Sequence, residues 1–96
     1  MSNNKNRRFK VGDIVQHFKR EFSEDLMRLE YLYEIVAFAI HTETKEKMVI
    51  YKALYQDENG EYKTFARPYD MFIAKVDKQK YPIIKQKYVF EKYIRQ

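Results

Sequence analysis

His41-Thr42-Glu43-Thr44 sets an imidazole, a carboxylate and two hydroxyls in consecutive positions. Groups of this kind either anchor the polar end of a small ligand or tie down the backbone of their own turn. An extended backbone aims His41 and Glu43 to the same side as Ala37, Ala39, Val49 and Tyr51. The small alanines then leave a groove, with Tyr33 and Tyr51 as walls and His41, Glu43 and Arg67 as polar anchors. In the other reading, Thr42, Glu43 and Thr44 bond the turn backbone and His41 completes an edge of the core. Arg67 stands beside Pro68-Tyr69-Asp70-Met71-Phe72, where a guanidinium can take a phosphate bidentately or stack on a ring. Its alternative is an ion pair with Asp70 or with Glu43 and Glu46. His17 and Lys19 complete the candidate ligand-binding set of His17, Lys19, Tyr33, His41, Thr42, Glu43, Thr44, Tyr51 and Arg67.

Other chemistries find less support. His17, His41, Glu43 and Glu46 offer nitrogen and oxygen donors, but their spacing matches no zinc signature, so no metal is expected. The serines are Ser2 and Ser23 and there is no cysteine, which leaves no nucleophile in a catalytic setting. Neither Gly12 nor Gly60 belongs to a phosphate-cradling loop. No catalytic residue and no cofactor are expected, and the chain reads as a non-enzyme. The doublets Lys80-Tyr81, Lys87-Tyr88 and Lys92-Tyr93 interleave charge with ring faces, a pattern that suits stacked bases and equally suits tyrosines that pack their rings and wet their hydroxyls.

Two alternating apolar segments within residues 33–55 must position this chemistry, and they predict a hairpin with a polar tip. With Glu43-Thr44-Lys45 as a three-residue loop, Ala39 faces Val49, Ala37 faces Tyr51, Ile35 faces Ala53 and Tyr33 faces Tyr55. Leu32, Val36, Phe38 and Ile40 then share the opposite face. Upstream, Val11 to Phe18 reads as a strand. Ser23 followed by Glu24 and Asp25 predicts a capped helix to about Leu29. Downstream, Asp57-Glu58-Asn59-Gly60 marks a turn, Tyr62 to Ala66 a strand, and Pro68 the start of a short helical turn through Met71. Phe72 to Val76 reads as another strand, and Tyr88 to Tyr93 as a final strand or short helix. Short strands without βαβ alternation predict a mainly β fold, a small SH3-like antiparallel barrel with one short inserted helix.

The 96 residues, 45% hydrophobic and 17% aromatic, suffice for one domain with a thin core, since a chain this short buries only roughly 60% of its unfolded surface. Residues 1–8 are expected to be a disordered basic arm and residues 9–96 the single domain. No apolar run approaches the ~20 residues that span a bilayer, so a cytoplasmic protein without membrane contact is expected. The net charge of +5 is unevenly spread. Residues 1–10 carry +4, residues 11–74 carry −4 and residues 75–96 carry +5. An acidic middle disfavours a basic face that reads nucleic acid, although basic ends remain able to meet phosphate.

Spaced motifs carry a resemblance through most of the chain: Val11-Gly12-Asp13, Gln16-His17-Phe18-Lys19-Arg20-Glu21, Tyr31-Leu32-Tyr33, His41-Thr42-Glu43-Thr44, Tyr51, Ala53-Leu54-Tyr55, Ala66-Arg67-Pro68-Tyr69-Asp70-Met71-Phe72, Val76-Asp77, Lys80-Tyr81-Pro82 and Gln86-Lys87-Tyr88. Together they resemble domain-of-unknown-function family 1653, small proteins of bacteria and phages. Lys45 departs from the family pattern, which carries glycine there. The resemblance implies a fold and little biochemistry. The expected function is a binding protein for a small anionic, nucleotide-like ligand, in its most specific form a phage sponge for a nucleotide immune signal. The alternative is an SH3-like module that binds protein or nucleic acid, and self-association into a homo-oligomer fits either.

Overall fold

The computed structural model describes residues 7–25 and 28–94. Its strands are β1 (Ile14–His17), β2 (Leu32–Ile40), β3 (Lys47–Ala53), β4 (Thr64–Pro68) and β5 (Phe90–Lys92). They form one antiparallel sheet in the order β4-β3-β2-β1-β5. A 3-10 turn, Phe18–Phe22, follows β1, and a single helical turn, α1 (Tyr69–Phe72), follows β4. The fold is therefore mainly β as expected. β4 and β5 are its edges, and no ladder pairs one with the other.

The short helix sits at a different place from the one the sequence suggested. None of the described residues of 24–29 is helical, and Leu26 and Met27 lie outside the described residues. Helix forms instead directly after His17, whose Nδ1 accepts the Lys19 N–H at 3.0 Å and so caps the 3-10 turn. Ser23 closes that turn rather than opening a helix, with its N–H donated to the Arg20 carbonyl. Pro68 does start α1, which swings Phe72 fully into the core. The strand read at Phe72 to Val76 reduces to an isolated bridge between Lys75 and Tyr88. β4 begins later than expected, at Thr64.

The hairpin forms, but its register departs from the expected one twice. Ile40 faces Lys47, Ala39 faces Met48, Phe38 faces Val49 and Ala37 faces Ile50. A bulge at Val36 then shifts the ladder, so that Ile35 faces Tyr51 and Tyr33 faces Ala53. The tip closes through the His41 N–H to Glu46 carbonyl bond, with Lys45 in the left-handed region at φ 66°. The bulge reverses the alternation along β2, since one extra residue moves every later side chain to the other face. Phe38 therefore packs on the core beside Tyr33 and Ile35, and Ala37 and Ala39 do not line it with Tyr51. Apolar residues on both faces of these strands left the pattern unable to select this register.

One face of the sheet builds the core from Val15, Tyr33, Ile35, Val49, Tyr51, Ala53 and Phe90, joined by Phe72 of α1. The Phe72 and Phe90 rings stack at 4.3 Å with 6° between planes. A satellite cluster of Phe18, Val76 and Ile84 packs below the 3-10 turn. Arg7 belongs to the domain rather than to a free arm, because its guanidinium donates to the Phe90 carbonyl at 2.7 Å and the Ile73 carbonyl at 2.8 Å and lies 3.8 Å from the Tyr88 ring centre. Phe9 sets its ring edge-on to Phe72 at 5.2 Å. The arm read from the sequence over residues 1–8 therefore does not hold at Arg7, and residues 1–6 lie outside the described residues. Among the described residues no helix is long and apolar enough to cross a membrane.

Candidate functional site

Residues paired across a ladder point to one face of the sheet, and the observed register decides which side chains converge. Arg67 faces Val49, Phe65 faces Tyr51 and His17 faces Phe90, so all lie on the core face with Tyr33. A cavity of about 190 Å³ opens among them, lined by His17, Lys19, Tyr31, Tyr33, Tyr51, Phe65, Arg67 and Phe90. Every strand contributes at least one wall, Lys19 comes from the 3-10 turn, and Tyr31 immediately precedes β2.

The walls are rings in mutual contact. Tyr51 and Phe65 stack at 5.6 Å, Tyr33 meets Tyr51 edge-on at 5.3 Å, and Phe90 meets Tyr51 edge-on at 5.2 Å. Burial and then the 2.9 Å hydrogen bond to the Tyr55 hydroxyl raise the pKa of Tyr33, so it stays a neutral phenol.

The charges in the cavity are one-sided. Arg67 and Lys19 line it, and no carboxylate does. Among the described residues no hydrogen bond or ion pair reaches either cation's side chain, and the Arg67 guanidinium lies 5.1 Å from the Phe90 ring centre. The expected alternative, an ion pair between Arg67 and Asp70, Glu43 or Glu46, does not form. An arginine has five donors, and here they remain available to an incoming acceptor. His17 reports the same field. Burial, then Arg67, then Lys19 push its pKa down to about 4, so the ring is neutral at pH 7. With Nδ1 accepting from Lys19, its proton sits on Nε2.

The structure brings together His17, Lys19, Tyr33, Tyr51 and Arg67 from the residues singled out in the sequence. It does not bring His41, Thr42, Glu43 and Thr44 to them. His41 Nδ1 accepts the N–H groups of Glu43 at 3.1 Å and Thr44 at 3.2 Å, and Thr44 Oγ1 donates to Glu46 Oε1 at 3.1 Å. These are bonds within the turn, and none of the four residues lines the cavity with Arg67. Tyr31, Phe65 and Phe90 were missed. Tyr31 precedes β2 with a left-handed φ of 64°, so strand alternation could not have found it. Phe65 and Phe90 needed the ladder partners that only the folded sheet supplies.

A second, larger concavity of about 620 Å³ lies between the 3-10 turn and residues 83–85, with Phe22, Ile83, Arg20 and Tyr93 among its walls. Arg20 is 6% exposed and donates to the carbonyls of Arg28 and Glu30. Glu21 accepts the N–H groups of Lys85 and Gln86 at 2.8 Å and 2.7 Å. Arg20 and Glu21 are thus committed to holding the loops together, in contrast to Arg67 and Lys19 in the smaller cavity.

No curated protein and no solved structure matches the chain. Residues 13–92 match the family described as Protein of unknown function (DUF1653), a span that contains all five strands and every wall of the Arg67 cavity. The chain belongs to that family.

Proposed function

We propose that this protein is a non-enzymatic binding protein for a small anionic ligand that carries a planar ring, a nucleotide-like molecule. The observation that carries the reading is the pairing of two unpartnered cations, Arg67 and Lys19, with aromatic walls in a cavity without a carboxylate. A guanidinium matches a phosphate edge with two parallel bonds, the ammonium of Lys19 adds a point charge, and the neutral His17 offers an Nε2–H donor. The rings offer stacking surface. Sequestration suits such a site better than catalysis, because its walls include no serine, threonine or carboxylate, and its one imidazole, His17, is tied at Nδ1 to the Lys19 N–H and held neutral by a pKa of about 4. The volume of about 190 Å³ is below the ~300 Å³ at which drug-sized pockets begin, so the ligand enters by one end. An SH3-like barrel is the proposed description of the curl, supported by contacts that reach β5 from β3 and β4, Tyr51 to Phe90 and Arg67 to Phe90.

The test is calorimetric titration and thermal shift of the purified protein with nucleoside monophosphates and inorganic phosphate at low salt. A ligand at ~100 times its dissociation constant stabilises by about 2.7 kcal/mol, a readily measured shift. The expected result is stabilisation by a nucleotide that weakens as salt rises. Absence of any shift across the nucleotide panel overturns the reading.

A further inference from the structure

Tyr31 holds a conformation that its side chain disfavours. Its φ is 64°, in the left-handed region where a bulky residue is an outlier. Strain of this kind persists only where the surroundings over-determine it, and it gathers at ligand clamps. The surroundings here are explicit. Buried Arg20 donates to the carbonyls of Arg28 at 3.1 Å and Glu30 at 2.7 Å, fixing the loop that delivers Tyr31. The Tyr31 carbonyl accepts the His17 N–H at 3.0 Å, and Leu32 N–H returns to the Leu29 carbonyl at 3.1 Å. The ring so placed lines the cavity at the edge of the core, against which it packs. Its neighbours His17 and Tyr55 stand at 6.0 Å, tilted rather than stacked, and its hydroxyl makes no hydrogen bond among the described residues.

We infer that Tyr31 is the ring-stacking residue of the Arg67 cavity and gives it selectivity for anions that carry a planar heterocycle over bare phosphate. This rests on the reading of that cavity as an anion site. Arg67 and Lys19 recognise the phosphate, which any phosphate source supplies. Tyr31 recognises the ring, and the Arg20-held loop fixes it before the ligand arrives, so no ordering cost falls on binding.

The experiment compares wild type, Tyr31→Gly and Tyr31→Phe with AMP and inorganic phosphate as probes, alongside melting temperatures without ligand. Glycine accepts the left-handed backbone, which offsets the lost ring contacts and keeps the unliganded melting temperature within a few degrees of wild type. AMP affinity should fall about 10-fold or more in Tyr31→Gly, in line with the loss of one base-stacking ring. Phosphate affinity should hold, and Tyr31→Phe should bind AMP as wild type does. Wild-type AMP affinity in Tyr31→Gly overturns the stacking role and leaves the anion site standing. Equal losses for AMP and phosphate, or a collapse of the melting temperature, make Tyr31 a structural residue and also overturn it. If wild type binds neither probe, the anion site itself falls and the role of Tyr31 with it.

Discussion

At the scale of single residues, Arg67 separates a binding group from a scaffold group. Its guanidinium makes no hydrogen bond or ion pair among the described residues and lies 5.1 Å from the Phe90 ring centre. Arg67→Ala should therefore cost unliganded stability only the cation–π contact, about 0.5–1 kcal/mol. Ligand affinity should drop by about 1.5–3 kcal/mol, the range for hydrogen bonds to a charged group. Arg67→Lys should rescue little, since it lacks the planar fork. Paired denaturation and titration check both numbers, and a large stability loss without ligand would return Arg67 to the scaffold. His17 makes a second prediction, with a sign set by its depressed pKa of about 4. Between that value and the unfolded ~6.5, the unfolded chain binds more protons, so His17 contributes stability above about pH 6.5 that is lost as pH falls towards 4. The shift corresponds to roughly 3 kcal/mol, and to about 2 kcal/mol after discounting for partial solvent exposure. His17→Asn keeps a cap acceptor for Lys19 and removes the titration. The stability difference between wild type and His17→Asn should change by about 2 kcal/mol from pH 7 to pH 4, in favour of the variant at low pH.

At the scale of elements, the hairpin tip is organised by its own bonds. Lys45 sits at φ 66°, and a side chain there costs about 1 kcal/mol relative to glycine. Lys45→Gly should raise stability by about that amount in urea denaturation and leave ligand affinity unchanged, because the tip lines no part of the Arg67 cavity. A change in affinity would tie the tip to the site after all. That none of the described residues of 24–29 is helical has a physical cause. Ser23, Glu24 and Asp25 carry a good capping signal, but His17 caps the chain earlier and the Phe18–Phe22 turn takes Phe18 into the satellite cluster. Burial of that ring outweighed local propensity, which is worth only tenths of a kcal/mol per residue.

At the scale of the whole molecule, Arg7 binds the start of the domain to its last strand across 83 positions. Two charged hydrogen bonds and a ring contact with Tyr88 make it structural, although burial draws its pKa below the usual arginine value. Arg7→Ala should lower stability by about 2 kcal/mol, measured by denaturation. A null effect would mean that the contact is not held in solution. Deleting residues 1–8 therefore cannot isolate a nucleic-acid role for the basic end, because it also removes this clamp.

The sequence alone determined the family, the mainly β class, the hairpin, the helical turn after Pro68 and the left-handed position at Lys45. The last four follow from local signals, such as alternation, turn residues and a proline, whose physics acts within a few residues. Tertiary structure decided everything that depends on which face a side chain takes. The bulge at Val36 reversed the alternation of β2 and set Ala37 and Ala39 on the face away from Tyr51, while the hairpin tip closes on bonds of its own. The ladder partners then set Phe65, Arg67, His17 and Phe90 on one face around Tyr33 and Tyr51. No local pattern carries that information, because a strand apolar on both sides is nearly indifferent to its register until the opposing strands and the packed rings of Phe72 and Phe90 select one.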